Sequence, residues 1–189
     1  MTRNFLALLA CTCALAGGAR AGAADTAAPA APAPLTAVDS LDVGRYLGDW
    51  YEIAHYPNWF QRHCVAATVA HYALLPQGGL EVLNRCRVAN GATDSATGAA
   101  RQVGAADSAR LQVRFAPAWL SFLPLVWADY WVIDIDPDYR LVAVSEPRRK
   151  YLWILSRTPH VEAKAYQALL ARLAAKGFDL ALLQLTPQP

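Results

Sequence analysis

From Gly48 to Arg157 the chain alternates short runs of apolar, β-branched and aromatic residues with polar turn clusters. The runs occupy 50–56, 65–74, 80–88, 100–105, 110–115, 130–135, 141–145 and 151–157, each with the length and composition of a β-strand. Between them stand Pro76-Gln77-Gly78-Gly79, Asn90-Gly91-Ala92-Thr93-Asp94-Ser95, Ala106-Asp107-Ser108, Asp136-Pro137-Asp138 and Glu146-Pro147-Arg148-Arg149, whose residues accept turn dihedrals. Connectors this short join only antiparallel neighbours, so the pattern predicts a meander of eight strands. An open meander leaves two unpaired edges, and closure into a barrel removes both.

The hydrophobic period changes after Arg157. Thr158 is placed to cap a helix that begins with Pro159, continues through Val161, Ala165, Leu169 and Leu173, and stops at Gly177. The fold class expected is all-β: an eight-stranded antiparallel up-and-down barrel with one C-terminal α-helix packed outside. Residues 178–185 read as a last short strand.

Side chains two apart on a strand share a face. Tyr151, Trp153, Leu155 and Arg157 therefore point one way, and Leu152, Ile154 and Ser156 the other. Both faces are largely apolar, so one lines the barrel and the helix covers its opposite. Leu111, Val113 and Phe115 separate in the same way from Gln112 and Arg114. Small residues at Ala54, Ala66, Ala70 and Ala143, where a solid core calls for larger ones, suggest a cavity.

Composition adds a second region. The chain has 189 residues, 55% hydrophobic, with a formal net charge of +2. Its Lys and Arg are scattered, which argues against a nucleic-acid partner. Much of the apolar excess lies at the start: Arg3 precedes an apolar run from Phe5 to Ala16, and Ala19-Arg20-Ala21 has the small-x-small pattern of a cleavage site. Residues 1–21 read as a secretory signal, too short to span a bilayer. Leu8-Leu9-Ala10-Cys11 also has the form of a lipobox, so two outcomes stay open: cleavage after Ala21, or lipidation of Cys11. Residues 22–40 are an Ala/Pro-rich linker and 41–189 the folded domain.

Outside the leader only Cys64 and Cys86 remain, enough for one disulfide in an oxidising compartment. A regular hairpin about the Gly78-Gly79 turn sets Cys64 about 13 Å out of register with Cys86. Closing the bond therefore requires the chain before the strand to fold back, and the alternative is two buried thiols.

Two segments carry a resemblance to a known family. Gly48-Asp49-Trp50-Tyr51-Glu52-Ile53-Ala54, after Arg45-Tyr46-Leu47, resembles the first signature of the lipocalins. Tyr151-Leu152-Trp153-Ile154-Leu155-Ser156-Arg157-Thr158-Pro159 resembles the third. Of the second, only Asp136 in Ile135-Asp136-Pro137 is retained. The resemblance spans 41–184, is nearest the bacterial outer-membrane lipoprotein type, and extends to apolipoprotein D. It implies a closed end built from Gly48, Trp50 and Arg157, with the guanidinium across the indole. It also implies a ligand cavity lined by Trp153, with Tyr72 and Asn84 at pocket positions. Strand parity adds Tyr151 and Glu52, and alternation adds Val82, Phe115 and Trp131. An inward carboxylate such as Glu52 must be partnered or protonated.

The function implied is non-catalytic: carriage of a fatty acid or lysophospholipid, without a cofactor, in the periplasm or at the periplasmic face of the outer membrane. Two rivals stay open, a pigment or tetrapyrrole carrier and a thiol enzyme using Cys64. His55, His63, His71 and His160 are dispersed and no Cys-x-x-Cys occurs, so no metal site is expected. The loop 117–127, Pro117-Ala118-Trp119-Leu120-Ser121-Phe122-Leu123-Pro124-Leu125-Val126-Trp127, carries bulky apolar residues without turn chemistry. It either packs over the barrel or meets a membrane surface.

Overall fold

The structure is a computed structural model describing residues 32–189. The signal segment, Cys11 and linker residues 22–31 lie outside the described residues. Eight strands follow one another round the barrel: β1 Gly48–His55, β2 Cys64–Leu74, β3 Leu80–Val88, β4 Thr93–Gln102, β5 Arg110–Arg114, β6 Ala128–Ile135, β7 Leu141–Ser145 and β8 Leu152–Ser156. All neighbours are antiparallel, and β8 and β2 both pair with β1, which closes the ring. A short helix, α1 (Val43–Tyr46), precedes β1.

Strand β4 starts at Thr93, inside the cluster that composition reads as a turn. Arg87↔Thr93 to Leu80↔Ala100 is one unbroken ladder, so the hairpin turn is only Ala89 to Ala92. Small polar residues tolerate a strand when a long partner supplies the hydrogen bonds.

The C-terminal helix, α2 (Ala163–Ala175), also starts later than the sequence suggests. Its N-cap is Glu162, whose carboxylate accepts from the Lys164 and Ala165 N–H groups at 2.9 Å. The Thr158 hydroxyl instead donates to the His160 carbonyl. Gly177, at φ +84°, ends the helix in a conformation a β-carbon disfavours. Leu169 and Leu173 are fully buried against Ala54, Ile133, Ala143, Leu152 and Ile154 on the outer barrel face. Each contributes about 1.5–3 kcal/mol by its burial. Ala54 and Ala143 are thus small beneath the helix, not around an internal cavity; only Ala70 of the four lies against the interior core.

The packed domain begins before Leu41. Leu35 is buried in the cluster under α2, and the Val38 N–H donates to the Val132 carbonyl at 2.9 Å. The last part of the Ala/Pro-rich stretch therefore lies on the barrel.

The seam between β1 and β2 is irregular. They pair only from Gly48↔Tyr72 to Tyr51↔Val69 and then part. The C-terminal segment fills the gap: β9 (Gln184–Leu185) pairs with Ala54 and His55 of β1, and the Pro187 carbonyl accepts from the Ala67 N–H. Bulges in β2 between Cys64 and Val69, with Ala67 at φ +54°, shift the register against β3. They bring the Cys64 and Cys86 α-carbons to 5.6 Å, and a disulfide joins the two. The loop it closes, 22 residues in sequence separation, corresponds to about 3 kcal/mol.

Candidate functional site

Loops of a meander alternate between the two ends of a barrel. The connectors after β2, β4 and β6 share one end with α1; those after β1, β3, β5 and β7 share the other.

The first end is shut. Trp50 is fully buried, its indole N–H donates to the Tyr46 carbonyl at 2.8 Å, and the Arg157 guanidinium lies 3.9 Å from its ring centroid. Arg157 also donates to the Asp49, Arg45 and Tyr139 carbonyls, so its charge is held by three acceptors. Burial nevertheless lowers its pKa from the ordinary guanidinium value. Gly48, at φ +91°, turns the chain beneath this stack. Asp136 closes the β6–β7 turn by accepting from the Asp138, Arg140 and Leu141 N–H groups. The one residue retained from the second signature is therefore the one its turn uses.

Above this floor three phenols meet. The Tyr130 hydroxyl lies 2.7 Å from those of both Tyr46 and Tyr72. Burial raises all three pKa values, that of Tyr72 to about 12.

Higher up, the two walls differ. On β2 to β4 the residues in register with the inward-facing Val82 and Ala70 are Gly98, Asn84 and Ala96, all small or slender. Opposite them stand Tyr130, Val144, Leu155 and Trp153 of β6 to β8. Asn84, Gly98 and Trp153 are only half-buried and Ala96 is exposed although they face inward, so solvent reaches these positions near the mouth, while Val144 and Leu155 are buried.

The rim is aromatic and polar. Tyr151, just before β8, stacks on Trp153 at 5.8 Å, and Phe60 of the β1–β2 loop lies 5.3 Å from Tyr151 and 6.2 Å from Trp153. Glu52 faces inward opposite Leu155 and is 2% exposed. It accepts from Gln61 Nε2 and Thr186 Oγ1, each at 2.6 Å, and lies 3.0 Å from His55 Nδ1. Gln61 Oε1 accepts in turn from Trp153 Nε1 and from Asn58. A buried carboxylate with three polar partners needs no further counter-charge. Beside it a cavity of about 350 Å³ opens between the β1–β2 loop and the C-terminal segment, lined by Glu52, His55, Asn58, Gln61, Arg62 and Thr68 among others.

Among the sequence-derived site residues, the structure joins Glu52, Tyr151 and Trp153 at the rim, and Asn84 lies on the inward face below it. Tyr72 and Val82 sit deeper, in the packed lower core. Phe115 follows the end of β5 and is 45% exposed; a β-carbon on Gly98 would lie 2.8 Å from its ring, so it covers Gly98 on the wall near the mouth. Trp131 is a correction. It pairs with Arg110, whose guanidinium lies 4.8 Å from its ring centroid, and it packs with the cluster beneath α2 on the outer face. Its neighbour Tyr130 takes the inward position. Sequence reading missed Tyr46, Tyr130 and Gln61, and only the parity of Tyr130, opposite to that of Trp131, could have revealed one of them. Cys64 is bonded to Cys86 and so is not the free thiol the enzyme reading requires.

Residues 41–188 match the family model described as a lipocalin-like domain. The chain is a lipocalin. It is 41% identical over 156 residues to temperature-induced lipocalin-1 of Arabidopsis thaliana, covering 82% of this chain and 83% of that one. It is 38% identical over 162 residues to outer membrane lipoprotein Blc of Escherichia coli, covering 85% and 87%. Insecticyanin of Manduca sexta shares the fold at a TM-score of 0.63 and 18% identity, over 84% of this chain and 87% of that one. Lipocalins generally bind small hydrophobic molecules. No helix among the described residues of this lipocalin is long and apolar enough to cross a membrane.

Proposed function

We propose that this lipocalin carries a single-chain lipid, a fatty acid or lysophospholipid, in a bacterial envelope and exchanges it with a membrane. The observation that carries the reading is the set of inward-facing positions that solvent reaches at the upper end of the barrel, Asn84 and Ala96 on one side and Trp153 on the other, above the buried apolar Val144 and Leu155. An acyl chain laid there gains about 0.8 kcal/mol per buried methylene before ordering costs. The polar head group then meets Arg62, Asn58 and Gln61 at the cavity beside the rim. The E. coli relative is named an outer membrane lipoprotein, which supports the envelope setting.

The loop 117–127 supports exchange with a bilayer. Trp127 anchors it between the guanidinium groups of Arg101 and Arg114. Trp119, Phe122 and Leu125 are 72%, 73% and 96% exposed, with Trp59 and Phe60 at the same end of the barrel. Such residues suit an acyl boundary.

The test is native mass spectrometry and tryptophan-fluorescence titration of the delipidated protein with oleic acid and lysophosphatidylethanolamine. We expect saturable one-to-one binding, weakened roughly tenfold or more by Ala96→Trp, which fills the throat from an exposed position. Absence of saturable binding, or an affinity that Ala96→Trp leaves unchanged, overturns the reading. The stacked Phe60, Tyr151 and Trp153 also suit a flat chromophore, and visible absorbance of the purified protein would favour that rival.

A further inference from the structure

The rim holds a second group of side chains that lipid carriage does not use. A ring nitrogen of His63, Cys64 Sγ and Cys86 Sγ all lie within 4.8 Å of one another. Asp94 Oδ2 lies 2.7 Å from His63 Nε2, and Asp94 is in register with Cys86 across β3 and β4. We propose that reduction of the Cys64–Cys86 disulfide turns His63, Cys64 and Cys86 into a zinc site, with Asp94 supporting it through its contact with His63.

The geometry is near what the metal needs. Tetrahedral zinc, at about 2.3 Å from sulfur and 2.0 Å from nitrogen or oxygen, holds its ligand atoms roughly 3.3–3.8 Å apart. The sulfurs separate by side-chain rotation once the bond is cut, while the histidine nitrogen closes in by about 1 Å. Two thiolates and an imidazole favour zinc over magnesium or calcium. The β2 bulges, which have no role in the throat, hold Cys64 where it can join the set. Ladders from Val69↔Arg85 to Leu74↔Leu80 and from Arg87↔Thr93 to Leu80↔Ala100 keep the strands paired without the disulfide.

The chemistry balances with a dithiol as reductant. Its thiolate attacks one sulfur of the disulfide, its second thiol resolves the mixed disulfide, and two electrons and two protons pass to Cys64 and Cys86 as the reductant becomes a disulfide. Zinc then displaces both thiol protons to solvent. Cys64 lines the cavity between the β1–β2 loop and the C-terminal segment, which gives a reductant access. His63 is the last residue of that loop, so the metal ties the loop to β3 in place of the covalent bond.

Cobalt(II) reads the site directly. The full chain with Cys11→Ser and Cys13→Ser is reduced anaerobically with a phosphine and titrated with cobalt, then zinc. We expect one cobalt per chain, a thiolate-to-cobalt charge-transfer band, visible bands of tetrahedral intensity, and bleaching by zinc. The oxidised protein should show none of these. His63→Ala and Asp94→Asn should each weaken binding at least about tenfold. A reduced protein without the charge-transfer band overturns the proposal. So does equal binding by parent, His63→Ala and Asp94→Asn, which marks capture by two thiols alone. A reduced chain that loses its β-sheet circular dichroism and does not regain it with zinc overturns it as well.

Discussion

The two ends of this barrel are made from the same residue types and treat them oppositely. At the closed end Trp50, Tyr46 and Tyr72 are buried, and the indole N–H and each phenol have a hydrogen-bond partner. At the open end Trp59, Trp119, Phe122 and Leu125 stand in solvent. Large apolar side chains left exposed add little to folding, so their presence asks for another role. The closed end holds the protein together; in the function proposed above, the open end meets the lipid and the membrane.

The largest effect should come from the closed end. Trp50→Ala removes the indole on which Arg157 rests, leaving a cavity and a guanidinium without its ring. A loss of about 3–5 kcal/mol is expected in urea unfolding. A loss under about 1 kcal/mol would show that the floor is not the keystone of the fold.

Alkaline pH should act on the same end more gently. Burial raises the pKa values of Tyr46, Tyr72 and Tyr130 in the folded chain, to about 12 for Tyr72. In the unfolded chain they ionise near 10. Their contribution is therefore complete below about pH 10 and is lost as pH rises through the folded values, where the unfolded state has already released its protons. Urea midpoints should fall between about pH 10 and 12, and less steeply in Tyr72→Phe. Tyrosinate absorbance that develops fully near pH 10 while the fold persists would contradict this.

The closed end was also the more legible in the sequence. Gly48, Trp50 and Arg157 sit in short motifs with fixed chemistry, and the strand runs and turn residues placed the barrel around them. What escaped was set by irregular pairing, by a competing cap and by a loop that folds inward. The β6 bulge between Val132 and Asp134, together with apolar residues on both faces, hid the fact that Tyr130 and not Trp131 points inward. The β2 bulges removed the offset that a regular hairpin imposes on Cys64 and Cys86. The late start of α2 turned on a Glu162 cap that the earlier Thr158 and Pro159 masked. Gln61 gave no signal, because a loop glutamine becomes an interior partner only once the loop folds over Glu52 and Trp153.

The smallest effect on stability should come from the open end, and there it would separate the two roles most sharply. Trp119→Ser with Phe122→Ser removes two large side chains that the fold leaves in water, so the unfolding free energy should stay within about 0.5 kcal/mol of the parent. Lipid affinity in vesicle-free buffer should also hold, because neither residue faces the throat between Asn84 and Trp153. Cosedimentation with phospholipid vesicles should fall several-fold, since the loop then offers an acyl boundary only Leu123 and Leu125. A stability loss above about 1 kcal/mol would mean that the loop packs as core after all. Unchanged vesicle binding with unchanged stability would leave Trp59 and Phe60 of the β1–β2 loop as the contact, and the same pair of measurements on Trp59→Ser would decide between the two loops.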